Sequence, residues 1–395
     1  MLRTVRITAT SILLVAVCVL ALNHYGCNGR EGIKMEKVKS SMAASARRYD
    51  WKAIGVFGCH GVLDAHPDPN NPDKYIIIWQ RYAPSMVKDK GPKTVENVRF
   101  SIYDARTKTF SPAADVFDVR NMTIYQGHPC WGYSHGKYRV FYCQRSGKSN
   151  HIAEVTASSW ADLQKYPVSN TEPVVTPDLG GRPMSGFLAV DDSTAWLFCE
   201  GVSAEKKNLD SLSYFIFHKD KGWDGVKHDI PTKKLIGRGD HLMGTAMVVG
   251  GDIVLYSSVG VGEKAGNAYR FRTSDRGGTW TAERLTVSGV EDPFKRDIDT
   301  QLFTTVVRKG RWCYLCSQSH SSHRWLARGT DGVHFKLVVD FGKRRSLSNT
   351  MVNIKGTRDI LLVYADYPYM ASSRTCYPGI KKTIEYVIYD TGESD

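Results

Sequence analysis

The sequence predicts an all-β fold, a six-bladed β-propeller that follows an N-terminal signal or anchor segment. Runs of roughly four to eight residues rich in aromatic and β-branched side chains dominate the chain. Clusters of Gly, Asp, Ser and Pro separate these runs, and a unit of three or four of them recurs along the chain in six copies. The copies are spaced by about 50 to 65 residues, which is typical of propeller blades.

Each unit begins with an apolar strand, continues through a tight turn and returns as a second strand richer in aromatic residues. Turn sequences such as HGK, GGD and RKG contain the residues that hairpins need at positive φ. A third strand, for example VRFSIYD or AYRFRTS, follows in most units. The six copies, numbered here as blades 1 to 6, begin near Gly61, Gly127, Met184, Met243, Thr300 and Asn349. We predict that the propeller occupies residues 50–390.

The composition supports a folded protein with an anionic partner. The 395 residues are 42% hydrophobic and 24% charged, which excludes a disordered, collagen-like or multi-pass membrane protein and allows a large core. Lysine and arginine number 53 against 40 aspartate and glutamate residues, a net charge of +13. Such an excess suits nucleic acid, a membrane surface or an acidic glycan.

The first 27 residues predict export. A short basic start, MLRTVR, precedes 16 uncharged residues, which is the arrangement of a secretory signal peptide. A retained membrane anchor is the alternative, and Gly26-Cys27 is placed where a lipoprotein anchor would be. We therefore expect a signal peptide or a membrane or lipid anchor over residues 1–27 and a polar linker over 28–49. The protein would be secreted, periplasmic or on the cell surface, and export disfavours nucleic acid as its partner.

The cysteine spacing allows one disulfide and argues against a metal site. Cys130 and Cys143 flank a predicted hairpin in blade 2 and could be bridged. Cys313 and Cys316 are spaced like metal ligands, but side chains three positions apart on a strand face opposite sides. No second pair lies nearby in the sequence, so we predict neither a metal site nor another cofactor.

Two turn sequences in blades 4 and 5 carry a more specific pattern. Thr273 to Trp280 reads TSDRGGTW, and Gly329 to Phe335 reads GTDGVHF at the equivalent place in the next blade. In such a turn the Asp carboxylate can accept hydrogen bonds from turn amides, Gly permits positive φ and Trp packs between blades. The first sequence matches the Asp-box pattern, and the chain thus resembles the sialidase-like superfamily of six-bladed propellers. The resemblance implies a glycan-processing enzyme or a glycan binder, with Asp275 structural rather than catalytic.

A propeller brings two sets of loops to one face. The loop that leads into each innermost strand and the loop that follows the second strand both open onto the central funnel, so their polar residues are the candidates for a site. Before the inner strands we note His60, Asp64 and His66, then Gln126 and His128, Arg182, then Arg238, Asp240 and His241, then Arg296, Asp297 and Asp299, and finally Arg344, Arg345 and Asn349.

An arginine recurs before the inner strand in four successive blades. The planar guanidinium matches a carboxylate or sulfate with two parallel hydrogen bonds, so several converging arginines would favour an anionic sugar. The alternative is that these arginines are solvated or pair with adjacent aspartates, as the sequences GRGD and KRDID suggest.

The loops after the second strands supply acids and aromatic residues. Glu200 follows the apolar strand AWLFC, and a carboxylate half withdrawn from water can serve as a general acid or base. In blade 6 the sequence YADYPYM is rich in flat rings that could stack on sugars or simply pack the blade. The candidates in these loops include Arg81, Tyr82, Gln144, Arg145, His151, Glu200, Ser257, Ser258, Gln318, His320, His323, Asp366, Tyr367, Tyr369, Arg374 and Tyr377.

The resemblance to sialidases implies roles for some of these residues. Sialidases bind the substrate carboxylate with an arginine triad and use a tyrosine nucleophile paired with a glutamate and an aspartate as acid/base. The implied triad is Arg238, Arg296 and Arg345, with Glu200 as the partner of the nucleophile and Asp64 as the acid/base. The nucleophile would be Tyr367, Tyr369 or Tyr377, and the further substrate-binding candidates are Arg182, His128, Asp240 and Asp299.

The residues leave other functions open. Asp64 and Glu200 could act as the carboxylate pair of another glycosidase. A polysaccharide lyase would use His60, His128, His241 or Tyr82 as base and an arginine to neutralise a uronate. The third possibility is a non-catalytic glycan-binding propeller at the cell surface. The leading prediction is an exo-sialidase-like glycoside hydrolase for an acidic sugar.

Overall fold

A computed structural model gives the fold of the chain. It describes residues 49–56, 63–83, 95–116, 125–146, 149–165, 172–173, 181–201, 212–237, 241–259, 267–291, 293–294, 304–318, 323–343, 346–366 and 383–393.

The two ends of the described chain meet in one sheet. Strand β1 (Lys52–Val56) pairs antiparallel with the last strand of the protein, and Lys52 lies opposite Tyr386. The first strand is therefore the outermost strand of the last blade, and this pairing closes the ring of blades.

Blades 1 to 3 follow in chain order, each with its first strand innermost and its last strands at the outer edge. Blade 1 consists of β2 (Leu63–Pro67), β3 (Lys74–Ala83), β4 (Val95–Asp104), β5 (Thr109–Phe110) and β6 (Ala114–Asp115). Blade 2 consists of β7 (Tyr125–Ser134), β8 (Lys137–Ser146), β9 (Ser149–Ala157) and β10 (Glu172–Pro173). Blade 3 consists of β11 (Gly181–Ala189), β12 (Thr194–Gly201), β13 (Leu212–His218), β14 (Gly222–Trp223) and β15 (His228–Asp229). Two short helices, α1 (Trp160–Leu163) and α2 (Thr232–Ile236), lie in the connections after β9 and β15.

Blades 4 to 6 repeat the plan, and β1 supplies the fourth strand of blade 6. Blade 4 consists of β16 (His241–Val249), β17 (Asp252–Val259), β18 (Ala268–Thr273) and β19 (Thr281–Arg284). Blade 5 consists of β20 (Thr286–Ser288), β21 (Thr305–Lys309), β22 (Trp312–Gln318), β23 (His323–Gly329) and β24 (His334–Lys343). Blade 6 contains β25 (Ser346–Asn353), β26 (Asp359–Asp366) and β27 (Thr383–Asp390). Strand β20 pairs in parallel with the outer edge of β24. The predicted six-bladed β-propeller is confirmed, and each innermost strand begins within about five residues of its predicted start.

The core is divided into layers between neighbouring blades. In β3, Ile77 packs towards blade 6 with Leu361 and Val363, whereas its neighbours Ile76 and Ile78 pack towards blade 2. Successive strand side chains point to opposite faces, so a strand buried on both faces must be apolar at every position. The run YIIIW in this strand has that property, and it explains why the second strands read as continuous apolar segments.

Polar contacts also bridge every pair of neighbouring blades at the face opposite the funnel. Each contact joins a hairpin turn, or the strand end beside it, to the next blade. In blade order they are Tyr138 Oη to Asp68 Oδ1 (2.5 Å), His135 Nε2 to the Asp192 carbonyl oxygen (3.1 Å), Arg276 Nη2 to Asp191 Oδ2 (2.7 Å), Arg270 Nη1 to the Asp331 carbonyl oxygen, Lys309 Nζ to Asn353 Oδ1 (2.8 Å) and Lys108 Nζ to Asp359 Oδ2 (3.2 Å).

The turn from Thr273 to Trp280 is folded around the Asp275 carboxylate. Its Oδ1 accepts hydrogen bonds from the Thr279 amide and the Thr273 hydroxyl, each 2.8 Å long, and Oδ2 accepts one from the Thr279 hydroxyl. Gly277 has φ of +93° and lies so close to blade 3 that an added Cβ would be 2.1 Å from the Tyr214 hydroxyl oxygen. Asp275 therefore makes these hydrogen bonds within its own turn, with the glycine fitted against the neighbouring blade.

The turn in blade 5 has a similar construction. Asp331 Oδ1 accepts hydrogen bonds of 2.8 Å from the amides of Val333 and His334. Gly332 has φ of +72°, and an added Cβ would be 2.5 Å from the Tyr256 hydroxyl oxygen in blade 4. Both turns thus place a glycine against a tyrosine hydroxyl of the preceding blade.

One of the two cysteine predictions is wrong. Cys130 has a buried free thiol, so it does not form the disulfide suggested with Cys143. The register pairs Cys130 with Phe141 and Cys143 with Gly127, which puts the two cysteines in different rungs of the hairpin. The prediction that Cys313 and Cys316 face opposite sides of their strand is confirmed, because Cys313 packs in the layer shared with blade 4 and Cys316 in the layer shared with blade 6.

Within the described ranges no helix is long and apolar enough to cross a membrane. The predicted leader, residues 1–27, lies outside those ranges, as does the predicted linker up to residue 48.

We predict that Gly277→Ala destabilises the propeller more than Gly250→Ala. Gly250, in the β16–β17 turn of the same blade, has φ of +61° and open space where a Cβ would be, so alanine there should cost only about 1–2 kcal/mol of backbone strain. At Gly277 the contact with Tyr214 should add a further ~1–3 kcal/mol. Chemical denaturation of both variants measures the difference, and equal losses would show that the fit against blade 3 contributes nothing.

Candidate functional site

The funnel face is where the innermost strands begin and the second strands end. Antiparallel pairing joins these ends in each of four blades: Tyr125 with Arg145, Gly181 with Gly201, His241 with Val259, and Ser346 with Asp366. In these four blades the segment before the innermost strand and the segment after the second strand therefore leave the sheet at the same end of the blade, as the sequence predicts.

Blade 3 brings two predicted site residues together in register. Arg182 is the second residue of β11 and Glu200 the second-last residue of β12, and the two are direct partners in the antiparallel ladder. The sequence nominated Arg182 as a substrate-binding residue and Glu200 as a catalytic residue from different loops. The structure places their backbones side by side, one residue from the funnel edge.

His128 lies in β7, at a point where the pairing with β8 is irregular. The register shifts by one residue between Gly127 and Cys130, so His128 lies in a bulge where two residues of the innermost strand are opposite one residue of β8. The same kind of shift occurs in three other innermost strands: between Pro183 and Phe187, between Met243 and Ala246, and between Ser346 and Asn349. Bulges of this kind re-aim side chains and are frequent beside active sites.

Most of the other predicted site residues fall outside the described part of the chain. These are Arg238, Asp240, Arg296, Asp299, Arg345, Tyr367, Tyr369 and Tyr377. The convergence of Arg238, Arg296 and Arg345 therefore stays a prediction. Their segments directly precede or follow described strands, since residues 367–382 connect β26 to β27 and residues 344–345 connect β24 to β25.

Asp64, the predicted acid/base, is buried in the innermost strand of blade 1 with 2% of its surface exposed. Its Oδ2 accepts a 2.8 Å hydrogen bond from the Trp131 amide of blade 2, and its Oδ1 accepts one of 3.1 Å from the Ala65 amide. The imidazole Nε2 of His66 lies 3.1 Å from the same Oδ1. The carboxylate therefore links two innermost strands, a contact that the sequence did not indicate.

Similar links join other innermost strands around the axis. The Val306 amide of blade 5 donates to Thr245 Oγ1 of blade 4 at 3.1 Å, and the Leu63 amide of blade 1 donates to Ser348 Oγ of blade 6 at 3.2 Å. Thr305 Oγ1 donates to Asn349 Oδ1 at 2.8 Å between blades 5 and 6. An innermost strand has a sheet neighbour on one side only, so its remaining amides need partners from elsewhere. Short polar side chains of the adjacent blade provide them.

The innermost strands also approach one another closely. A Cβ on Gly244 of β16 would be 1.9 Å from the Thr304 carbonyl oxygen and 2.8 Å from that of Tyr256. Only glycine fits at this position, which explains the sequence MGTA at the bulge of blade 4.

His66 and Asp64 both belong to β2 and are paired where blade 1 meets blade 2. Burial alone would lower the pKa of His66, but the charge and hydrogen bond of Asp64 outweigh it and raise the pKa above its ordinary value of 6.5. The imidazole meets the Trp131 ring edge-on, with 5.3 Å between ring centroids. The pair is therefore strongest when His66 is protonated.

Sequence reasoning missed Arg324, a fully buried arginine at the funnel end of blade 5. It is the second residue of β23 and lies opposite Gln318, the last residue of β22. Its Nε donates to Ser346 Oγ at 2.7 Å and its Nη2 to Asp366 Oδ1 at 2.5 Å, while Nη1 lies 3.4 Å from Glu385 Oε2. The available signal was a charged side chain in the otherwise apolar strand segment RWLA, where a buried position requires compensating charges.

Among the residues that the structure describes, no group of three or more His, Cys, Asp or Glu side chains could hold a metal ion.

Comparison with known proteins identifies the fold but no family. No protein-family model matches the chain, and no curated protein does so. Solved structures of similar fold include an α-L-arabinanase from Penicillium chrysogenum in complex with arabinobiose, with a TM-score of 0.59 and 12% identity over 87% of this chain and 98% of that one. An α-L-arabinofuranosidase from Fusarium graminearum in complex with an iminosugar inhibitor has a TM-score of 0.60 and 10% identity over 88% of this chain and 99% of that one.

A sialidase is also among the similar structures. The Trypanosoma rangeli sialidase matches with a TM-score of 0.52 and 8% identity, over 84% of this chain and 55% of that chain. At such low identities the likeness establishes the propeller fold and leaves the activity to be argued from the site.

We predict that the contribution of His66 to stability falls as the pH rises. Because folding raises its pKa, the stabilisation is fully present below pH 6.5 and is lost as the pH passes through the folded pKa. Each pKa unit of difference corresponds to about 1.4 kcal/mol. The free energy of unfolding of wild type and His66→Gln should therefore differ most near pH 5.5 and least near pH 8.5.

A matched control for that experiment is His334→Gln. His334 pairs with Asp331 on an exposed turn, and exposed pairs contribute little to stability. The prediction would be contradicted if the free energies of unfolding of wild type and His66→Gln differed by the same amount at both pH values.

Proposed function

We propose that this protein is a glycan-active hydrolase of exo-sialidase-like type that cleaves a terminal acidic sugar at the funnel face. The observation that carries the proposal is the pairing of Arg182 with Glu200 at the funnel end of blade 3. The two residues occupy adjacent backbone positions at that end of the blade, and an arginine and an acid at such positions would meet one requirement of a site that binds an anionic sugar and moves a proton. The positive net charge of +13 favours an anionic substrate in the same way.

The similar structures support a glycan as the substrate class. Their names describe proteins that act on or bind sugars, namely an arabinanase with arabinobiose, an arabinofuranosidase and a sialidase. The sialidase-like pattern in the Thr273–Trp280 turn favours an acidic sugar over a neutral one.

In the proposed reaction a tyrosine among Tyr367, Tyr369 and Tyr377 attacks the anomeric carbon. Glu200 takes the phenolic proton, and the leaving oxygen takes a proton from the acid/base, so the glycosidic bond breaks as the tyrosyl bond forms. Water then releases the sugar by the reverse proton movements. Arg238, Arg296 and Arg345 hold the substrate carboxylate, with Arg182, His128, Asp240 and Asp299 as further contacts.

The surroundings of Asp64 favour a second candidate, a glycan-binding propeller without hydrolase activity. As an acid, Asp64 would have to carry a proton, yet its oxygens face two amide donors and His66. A carboxylate in those contacts serves to join blades 1 and 2 as it stands. If Asp64 has that role alone, the funnel can bind a sugar but lacks this acid.

We predict that the full-length protein releases free sialic acid or another acidic sugar from the non-reducing end of an oligosaccharide. The assay panel contains a sialylated oligosaccharide, an arabino-oligosaccharide and a uronate polysaccharide. It separates free acidic sugar, neutral reducing sugar and the ultraviolet-absorbing product of a lyase. Retained binding with none of the three products would establish the binder and refute the hydrolase.

The Glu200→Gln variant should lower kcat by about 100-fold or more, as loss of a general base does. The control is Asp220→Asn, which removes an exposed carboxylate from the turn at the other end of blade 3 and should leave kcat unchanged. Asp64→Asn separates the two roles of Asp64, because a structural link lowers the melting temperature and an acid/base lowers kcat. Unchanged turnover in Glu200→Gln would remove Glu200 from the mechanism.

A further inference from the structure

The first hairpin turn of each blade lies at the face opposite the funnel, and these turns differ in charge. In blades 1, 3 and 4 they read PDPNNPD, VDDS and GGD, and their only charged residues are aspartates. In blade 5 the turn reads RKGR, and in blade 6 it reads IKGTRD. Among these turns, positive charge is therefore concentrated in two neighbouring blades.

The cations at the hairpin ends of blades 5 and 6 form what we call the basic surface. It consists of Arg308, Arg311, Arg328, Lys355 and Arg358. Arg328 lies 3.7 Å from Glu393, and Arg358 pairs with Asp390 at 2.7 Å. The other three side chains are exposed, and none of them pairs with a carboxylate in the described part of the chain. The basic surface thus has three more positive charges than its ion pairs use.

One aromatic ring holds two of these cations in place. Trp312 is the first residue of β22 and packs, partly buried, in the layer between blades 5 and 6. Its ring centre is 4.9 Å from the Cζ atom of Arg311 and 4.3 Å from that of Arg328. Stacking on a ring restrains a guanidinium but leaves its charge in place. The two cations are therefore fixed at the hairpin edge of blade 5.

The described chain begins beside this surface. Its first residue, Tyr49, packs in the same layer as Trp312. Burial raises the pKa of the Tyr389 phenol to about 12, and Tyr49 adds to the rise whereas Arg328 opposes it, so both residues lie near this ring. Residues 1–48, in which the sequence predicts a signal peptide or a membrane or lipid anchor, therefore join the propeller close to the basic surface.

We propose that the basic surface docks on an anionic membrane, with its arginines and its lysine on the phosphates of anionic lipids. The aspartates in the turns of blades 1, 3 and 4 are repelled by such a membrane, so contact is confined to the hairpin ends of blades 5 and 6. The funnel face, at the other end of the blades, stays open to solvent. An acidic polysaccharide would suit the same charges, but the position of Tyr49 favours a membrane.

The test measures how the full-length protein partitions onto vesicles of phosphatidylcholine alone and of phosphatidylcholine and phosphatidylglycerol in equal parts. The basic-surface variant carries Arg308→Gln, Arg311→Gln and Lys355→Gln. The control variant carries Lys137→Gln, Lys219→Gln and Lys221→Gln, which replace exposed lysines at the hairpin face of blades 2 and 3. Both variants lose the same charge and keep residues 1–48, so a difference between them reports on the basic surface.

We predict that partition onto the mixed vesicles falls about 100-fold in the basic-surface variant and less than about twofold in the control, because each cation at an anionic membrane strengthens binding about fivefold. Added salt should weaken wild-type binding to the mixed vesicles, since it screens exposed charges. Turnover of a soluble glycan should be the same in both variants as in wild type. Failure of the proposed hydrolase would therefore leave this test intact.

Equal partition of the two variants would overturn the assignment, and so would wild-type binding that is the same on both kinds of vesicle. Binding of a soluble polyuronate that only the basic-surface variant loses, without binding to mixed vesicles, would identify an acidic polysaccharide as the partner instead. Self-association lost in the same way would identify a second copy of the chain. If the triple variant does not fold, Arg311→Gln and Lys355→Gln should each weaken partition about fivefold, and wild-type values in both would also refute the assignment.

Discussion

Every blade of this propeller is buried on both faces by its neighbours, and the rest of the structure depends on that constraint. The alternation of Ile76, Ile77 and Ile78 between two different core layers shows it at the level of single residues. No blade has a core of its own, since each layer is shared, so six sheets become stable only as a ring. The polar contacts at the hairpin face connect the same neighbouring blades that share an apolar layer. Strand β1 closes the ring by completing the sheet of blade 6.

The shared layers bring the innermost strands close together around the axis. The positions of these strands determine where the site residues at their funnel ends lie. Gly244 comes close to Thr304, and the registers of four innermost strands are irregular. Innermost-strand amides without a sheet neighbour donate hydrogen bonds to short polar side chains and to Asp64. Asp64, which the sequence predicts as a site residue, thus joins two blades.

The sequence predicts the blades well because their determinants are local: a run such as YIIIW, a turn such as HGK and the spacing of the copies are all visible in one dimension. It does not reveal Arg324 or the inter-blade contact of Asp64, because both depend on which side chain of another blade lies opposite. The wrong disulfide has a more local cause. Cys130 and Cys143 flank a hairpin as expected, but the pairing of its two strands places Phe141 opposite Cys130 and Gly127 opposite Cys143.

The position of β1 has a consequence for the time order of folding. Lys52 and Tyr386 are paired although more than 300 residues separate them, and contacts this distant in sequence form late, because a long loop must close first. Until then the edge of β27 is open, and Trp51, which precedes β1 and packs against the Tyr364 ring in the folded protein, does not cover that ring. An open edge of this kind can pair with another chain, so the interval between the formation of β27 and the docking of β1 on it is when this edge is exposed to aggregation.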